Sequence, residues 1–184
     1  RVLFRSKGDI AMSKSVNLYV VVPCYNEEAV LHETSKQMLE LFGEMKNDGL
    51  INDNSRIVFV DDGSKDKTWS IIDELTKAHT EISGIKLAKN AGHQNALFGG
   101  LMTVKDDCDC AISIDADLQD DIHVIPDMVR NFIDGYDVVY GVRNKRDTDT
   151  FFKRTTAVGF YKLMQFMGVN IVFNHADYRL MSKR

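Results

Sequence analysis

The fold can be read first from one short run, Leu18-Tyr19-Val20-Val21-Val22, which Pro23 ends. The run is apolar throughout and rich in β-branched residues, which is typical of a strand buried on both faces of a parallel sheet. Similar runs recur along the chain, and they predict further strands over 56–60, 84–87, 110–114 and 136–141.

Apolar residues at helical spacing fill the intervals between these strands. They predict helices over 27–46, from Asp66 through Leu75, and over 92–104, 124–134 and 151–167. The alternation of strand and helix predicts an α/β fold, with a mostly parallel sheet and helices on both faces. We expect 13–184 to form a single domain. Because Met12 resembles a natural start, we expect residues 1–12 to be vector-derived or disordered.

Composition narrows the classes of function. The chain has 184 residues and a formal net charge of −4, so general binding to nucleic acid is not expected. No apolar run is long enough to span a bilayer. The three cysteines, Cys24, Cys108 and Cys110, do not form a zinc-type ligand set, and we expect reduced thiols.

Polar residues gather where the predicted strands end, which is where open α/β sheets bind ligands. The sharpest group is Asp115-Ala116-Asp117-Leu118-Gln119. One intervening residue in extended backbone sends two carboxylates to the same side, and Mg²⁺ or Mn²⁺ prefers such oxygen ligands together with phosphate oxygens. The alternative is a solvated acidic turn before a helix, but the position after a buried strand favours a functional site.

A second acidic group, Asp61-Asp62-Gly63-Ser64, follows another strand. One of the two carboxylates could accept a hydrogen bond from a nucleobase and the other could orient the loop. A turn with a helix cap explains the same residues equally well.

Phosphate binding would need arginines and a metal, because the chain has neither G-x-G-x-x-G after its first strand nor a P-loop. The strongest basic cluster comprises Arg143, Arg146, Lys153 and Arg154, and arginine matches phosphate geometry. A solvated helix flank is the alternative. His93 could contact substrate or form a structural hydrogen bond, and the polar tract around Asp177 could be a site or a surface loop.

Three of these motifs together resemble the family 2 glycosyltransferases of GT-A fold, and the match extends from Val20 to Lys183. The motifs are Val21-Val22-Pro23-Cys24-Tyr25-Asn26-Glu27-Glu28, Val60-Asp61-Asp62-Gly63-Ser64-x-Asp66-x-Thr68, and Asp115 to Gln119. Further motifs resemble the branch that contains the dolichol-phosphate mannose synthases and bactoprenol glucosyltransferases. They are Gly92-His93-Gln94, Lys153-Arg154-x-x-Ala157-x-x-Phe160-Tyr161 and Ala176-Asp177-Tyr178-Arg179-Leu180. The chain departs from that branch at Asp120-Asp121, where Pro-Pro is common.

The resemblance implies a Rossmann-like nucleotide-binding half and a set of residue roles. Residues of the donor pocket would be Pro23, Tyr25, Glu27, Asp62, Asp115, His93 and Gln94. Asp117 and Gln119 would hold Mg²⁺ or Mn²⁺, and Arg143 and Arg154 would grip an acceptor phosphate. Asp177 would be the base if the acceptor were a hydroxyl.

The function implied is inverting transfer of a hexose from a nucleotide-sugar, a UDP-sugar being favoured, to a polyprenyl phosphate. It would take place at the cytoplasmic side of a membrane, with membrane helices lying in segments outside this chain. The alternatives are transfer to a sugar hydroxyl in cell-surface polysaccharide synthesis and a non-catalytic nucleotide-sugar-binding module. A nucleotidyltransferase is a further rival, although its basic, glycine-rich loop after the first strand is missing. The oligomeric state stays open, a homo-oligomer included.

Overall fold

The computed structural model describes residues 3–5, 15–142 and 175–183, and for residues 3–5, 142 and 175–177 it describes the backbone. The strands of these ranges are β1 (Leu3–Arg5), β2 (Leu18–Cys24), β3 (Arg56–Asp61), β4 (Ile82–Lys86), β5 (Cys110–Ser113), β6 (Tyr136–Val142) and β7 (His175–Ser182). The helices are α1 (Leu31–Asn47), α2 (Thr68–Ala78), α3 (His93–Val104) and α4 (Ile125–Ile133), the last preceded by a 3₁₀ turn at Ile122–Val124.

The strands form one sheet in the order β1-β6-β7-β5-β2-β3-β4. Strands β5, β2, β3 and β4 pair in parallel, whereas β7 pairs antiparallel with both β5 and β6. Strand β6 therefore points the same way as β5, and five of the seven described strands share one direction. The prediction of an α/β fold with a mostly parallel sheet is confirmed.

Helices cover both faces of the sheet, as predicted. One apolar cluster packs α1, α2 and α4 against one face, and its large buried side chains include Phe42, Phe59 and Met128. A smaller cluster packs α3 against the other face through Val21, Val58 and Val60. Full burial of side chains of this size stabilises a fold by about 1.5–3 kcal/mol each. Gly100 seats α3 closely, since a Cβ there would lie 2.7 Å from methyl carbons of Val21 and Val60.

Two strands were not predicted. Strand β7 occupies the polar tract that was interpreted as a site or a surface loop, and its backbone pairs along its length with two neighbours. Only Tyr178 and Leu180 of its described side chains are buried, so the tract lacks the apolar run used to find the other strands. Strand β1 lies inside residues 1–12 and pairs antiparallel with β6.

Some element boundaries also differ from the prediction. Helix α1 begins at Leu31 rather than at Glu27, because Asn26 adopts a positive φ of 57° and residues 28–30 form a turn. Strand β4 begins two residues earlier than expected. The predicted helix over 151–167 lies outside the described residues. Within the described ranges, no helix combines the length and the apolar character needed to cross a membrane.

Candidate active site

The loop that follows β2 is fastened to the loop that follows β3. Within residues 15–142, five hydrogen bonds join residues 26–28 to residues 64–68, each from a backbone amide to a side-chain oxygen. The pairs, amide first, are Asn26 to Ser64 (3.0 Å), Glu27 to Thr68 (2.8 Å), Glu28 to Asp66 (3.2 Å), Lys65 to Asn26 (2.9 Å) and Lys67 to Glu28 (2.9 Å). Because each loop supplies both donors and acceptors, the two loops hold one another in place.

Asp66 is a central acceptor of this pair of loops. Burial alone would raise the pKa of its carboxyl, but hydrogen bonds from Thr68 and from the Glu28 amide outweigh burial and lower the pKa. Asp66 therefore stays ionised while it holds the start of α2 to the loop after β2.

The two aspartates at the end of β3 point into different surroundings. Both oxygens of the buried Asp62 carboxylate accept backbone amides, from Ala91 at 2.6 Å and from Gly92 at 2.9 Å. Asp61 is also buried; its Oδ1 accepts the amide of Ser64 at 3.1 Å, while its Oδ2 has no hydrogen-bond partner among the described residues. Asp62 thus anchors the loop before α3, which is the orienting role that the sequence left open for one of the pair.

Gly63 lets these loops approach one another. Its φ is +70°, and a Cβ at this position would lie 2.7 Å from the backbone nitrogen of Asn90. A larger residue would push the loop before α3 away from Asp62, so glycine is required here.

These loops enclose a half-open cleft of about 150 Å³. Its lining comprises Pro23, Cys24, Tyr25, Glu27, Asp62, Asn90, Gly92 and His93. Five of these residues were predicted to form the donor pocket, and the structure brings them together. Tyr25 is 41% exposed and leaves part of its ring open to a ligand.

Cys24 lines this cleft, and its surroundings disfavour the thiolate, which is the reactive form of a cysteine. Burial, followed by the nearby carboxylates of Glu27 and Asp61, raises the pKa of the thiol far above its usual range. The three cysteines are free and buried.

The acidic turn after β5 borders the cleft. Leu118 donates its amide to the carbonyl of Asp115 at 3.3 Å, which closes a four-residue turn, and Leu118 has a positive φ of 49°. Asp117 is exposed, and Gln119 donates to it twice, from its backbone at 3.2 Å and from its side-chain amide at 2.7 Å. Gln119 therefore orients Asp117 in this structure.

Electrostatic coupling shows that carboxylates from three loops share one region. Burial raises the pKa of Glu27, and the negative charges of Asp117, Asp66 and Asp115 raise it further. His93 Nε2 lies 3.7 Å from Asp115 Oδ1, which links the cleft to the acidic turn. Such a concentration of negative charge favours a cationic ligand.

A divalent metal fits this arrangement in one specific way. The described residues contain no preformed group of three His, Cys, Asp or Glu side chains that could hold a metal. Mg²⁺ and Mn²⁺ sites for nucleotides, however, commonly use one or two carboxylates plus phosphate oxygens. Asp117 and Asp115 offer that donor set. Gln119 could join it through its amide oxygen, because the amide nitrogen is a hydrogen-bond donor and donates to Asp117 here.

Three predicted residues cannot be placed at the site. Arg143 and Arg154 lie outside the described residues, and Asp177 lies in β7 with its side chain outside the description. Gln94 lies in the first turn of α3, beside His93, and is exposed.

The sequence also left some residues of the site without a role. Cys24, Asn90 and Gly92 line the cleft although no role had been predicted for them. Thr34 and Thr68 support the loops from buried positions in helices. From sequence alone, a threonine on the buried side of a helix looks like any other core residue. Its role in supporting a loop can be recognised only when the loop that it contacts is known.

A family model described as glycosyl transferase family 2 matches residues 19–184. The chain belongs to this family. It is 54% identical over 167 residues to the uncharacterized glycosyltransferase YkoT of Bacillus subtilis, covering 91% of this chain and 50% of that protein. It is 38% identical over 169 residues to the prophage bactoprenol glucosyl transferase homolog of Escherichia coli, covering 91% of this chain and 53% of that protein. The chain thus spans about half the length of the relatives it matches.

Solved structures support the fold. The mannosyltransferase PcManGT from Pyrobaculum calidifontis, in complex with GDP-Man and Mn²⁺, aligns with a TM-score of 0.60 at 19% identity, over 96% of this chain and 48% of that one. Glucosyl-3-phosphoglycerate synthase from Mycobacterium tuberculosis, in complex with Mn²⁺, UDP and phosphoglyceric acid, aligns with a TM-score of 0.55 at 19% identity, over 91% of this chain and 56% of that one. The predicted GT-A fold and glycosyltransferase family are confirmed.

Proposed function

We propose that this chain is the catalytic domain of a metal-dependent hexosyltransferase, which moves a hexose from a nucleotide-sugar to a polyprenyl phosphate. A UDP-sugar is the favoured donor and Mg²⁺ or Mn²⁺ the favoured metal. The main observation in its support is that the acidic turn after β5 borders a cleft lined by the loops after β2, β3 and β4.

The cleft supports donor binding in two parts. Tyr25 and Pro23 offer an apolar surface for a nucleobase, and the fastened loops around Glu27 and Asp62 keep that surface in place before a ligand arrives. The diphosphate would extend toward Asp115 and Asp117. A metal held there would neutralise charge on the leaving nucleoside diphosphate.

The reaction is a single displacement at the anomeric carbon. An oxygen of the acceptor phosphate forms the new bond to that carbon as the bond to the nucleoside diphosphate breaks, which inverts the configuration. A lipid phosphate is already an anion, so the reaction needs no strong general base. Positioning by the fastened loops supplies part of the rate enhancement.

The choice of a polyprenyl phosphate as acceptor is supported by relatives named bactoprenol glucosyl transferase, which are 38% identical to this chain. We propose that Arg143 and Arg154 bind the acceptor phosphate and that the enzyme works at the cytoplasmic side of a membrane. Transfer to a sugar hydroxyl would instead need a base, for which Asp177 is the candidate. If the acceptor is a lipid phosphate, the Asp177→Asn variant should retain transfer to it. Complete loss of this transfer, with the fold intact, would contradict the lipid-phosphate acceptor.

The proposal is tested by titrating UDP and GDP into the chain with and without Mn²⁺, and by assaying transfer from UDP-glucose to a short-chain polyprenyl phosphate. We expect UDP binding that Mn²⁺ strengthens, and formation of glucosyl-phosphoryl-polyprenol that EDTA stops. Asp117→Asn removes a charged ligand of the proposed metal and should weaken the Mn²⁺-dependent binding roughly 10- to 100-fold, the range seen when groups that support a metal site are replaced. Asp106→Asn, an exposed aspartate after α3, is the matched control. Equal UDP affinity with and without Mn²⁺ would contradict the metal dependence.

A further inference from the structure

Thr34 makes a buried contact with the acidic turn from outside the cleft. Its side chain is 2% exposed, and its hydroxyl donates a hydrogen bond to the carbonyl oxygen of Ala116 at 2.6 Å. The two residues are 82 positions apart in sequence, and the bond joins helix α1 to the turn after β5. Ala116 is itself buried, so its carbonyl would have to find another donor if the hydroxyl were removed.

The position of this carbonyl within the turn gives the contact its importance. Asp115 and Leu118 are the first and last residues of the turn, so the peptide between Ala116 and Asp117 is its central peptide. Turn types I and II differ mainly in the orientation of that peptide, through the ψ before it and the φ after it. The non-glycine residues with positive φ in the described ranges are Asn26 and Leu118, so Asp117 has a negative φ. A flipped peptide would change that angle and send the Asp117 carboxylate elsewhere.

We infer that Thr34 is a positioning residue for the metal: its hydroxyl selects the orientation of the Ala116–Asp117 peptide that aims the Asp117 carboxylate at the diphosphate. Asp117 itself is exposed, and its side-chain partner is the neighbouring Gln119, which moves with the turn. The Thr34 hydrogen bond comes instead from a helix packed in the core, so it holds the turn relative to the rest of the fold. The inference rests on the metal role of Asp117 proposed above.

Replacement of the hydroxyl should lower metal-dependent affinity without touching the base pocket. Without the bond, the turn is in the binding-competent orientation for only part of the time, and apparent affinity falls by that fraction. We expect Thr34→Val, which keeps the shape but not the donor, to weaken UDP binding in the presence of Mn²⁺ roughly tenfold. UDP binding without metal should stay unchanged, because the cleft residues keep their positions.

Three further variants make the measurement specific. Thr34→Ser keeps the hydroxyl and should restore binding to within about twofold of the wild type, while Thr34→Cys offers a weaker donor and should lie between serine and valine. Ser35→Ala removes a neighbouring buried hydroxyl that donates to His32 within the same helix at 3.0 Å. It controls for general destabilisation of α1 and should bind like the wild type. If Thr34→Val does not fold, the cysteine and serine variants still decide, and equal Mn²⁺-dependent affinities for the two would overturn the inference.

Hydrogen exchange of the metal-free protein provides a second measurement that does not depend on the proposed function. Amides of residues 116–119 should exchange faster in Thr34→Val than in Ser35→Ala. Unchanged exchange there, or full Mn²⁺-dependent UDP affinity in Thr34→Val while the wild type needs Mn²⁺, would overturn the role of Thr34 alone. UDP affinity that is independent of Mn²⁺ in the wild type would instead contradict the metal proposal, and the inference with it.

Discussion

The loops on the two sides of the cleft are held in contrasting ways. Residues 26–28 and 64–68 bind one another through amides and side-chain oxygens, and the carboxylate of Asp62 is buried against two further amides. The turn at Asp115–Leu118 instead carries an exposed Asp117, and a hydrogen bond from the Thr34 side chain joins the turn to helix α1. The carboxylates of Glu28, Asp62 and Asp66 in the first region therefore build structure, while Asp117 in the second keeps its charge available for a ligand. Aspartate serves both purposes because Asp62 is buried and accepts two backbone amides, whereas Asp117 is exposed to solvent.

The largest expected effect on stability comes from Asp62. Asp62→Asn keeps the shape but turns an amide nitrogen toward one of the two backbone donors, so that donor loses its acceptor and the buried side chain loses a hydrogen bond. We expect the free energy of unfolding to fall by about 2–4 kcal/mol, measured by urea denaturation. Asp117→Asn is the control from the other side of the cleft, and its exposed position should limit the change to about 0.5 kcal/mol. Equal losses in the two variants would show that the contrast between the regions is wrong.

A smaller loss is expected where the two loops are joined. Thr68 is fully buried, and its Oγ1 accepts the amide of Glu27 at 2.8 Å. Thr68→Val leaves that amide without its partner and should cost about 1–2 kcal/mol in urea denaturation. Ser70→Ala removes an exposed hydroxyl two residues along the same helix, which donates to the Lys67 carbonyl, and should cost less than about 0.5 kcal/mol. A Thr68→Val variant as stable as Ser70→Ala would mean that the bond between the loops contributes nothing.

Glu27 should make the stability of the cleft depend on pH. Its pKa in the folded protein is raised by burial and by Asp117, Asp66 and Asp115, so the folded state binds its proton more tightly than the unfolded state does. Stability therefore falls as pH rises through the interval between the ordinary and the raised pKa, and the loss is fully present above that interval. Glu27→Gln should be more stable than the wild type at neutral pH, with the difference shrinking in acid.

Thermal unfolding between about pH 4 and pH 8 measures this difference, since the interval spans the ordinary pKa of glutamate and neutrality. Glu40→Gln, on the exposed side of α1, should show no such trend. A difference between Glu27→Gln and the wild type that grows toward low pH would reverse the sign and contradict the carboxylate cluster.

The smallest effect on stability is expected at the contact that joins the two regions. His93 and Asp115 are 3.7 Å apart and both about half exposed, so their attraction is screened by water. His93→Gln should change the free energy of unfolding by less than about 0.5 kcal/mol, measured by urea denaturation beside Asn95→Gln on the same helix. Yet it should weaken UDP binding, because His93 lines the cleft. A large loss of stability with unchanged UDP affinity would make His93 a structural residue.

The fold was predictable because buried strands and helices carry apolar residues in recognisable patterns. Strands such as Leu18–Cys24 are apolar on both faces, and the helices between them show a regular apolar stripe. Strand β7 escaped prediction since an antiparallel strand needs few apolar residues when its backbone is satisfied by two neighbours. For the site, the sequence predicted which polar residues follow the strands, but it did not predict which groups their side chains contact. The roles of Asp117, Gln119, Arg143, Arg154 and Asp177 stay predictions.

The sequence by itself determined the α/β class, the family and the set of polar residues at the ends of the strands, because each depends on local pattern and spacing. Only the tertiary structure decided that Asp62 is an anchor for the loop before α3, that residues 26–28 bind residues 64–68, and that Thr34 holds the Ala116 carbonyl. These contacts join residues 29 to 82 positions apart. Nothing in local sequence specifies such a partner, since any buried threonine or aspartate will bond whichever complementary group the packing of helices and strands brings to it.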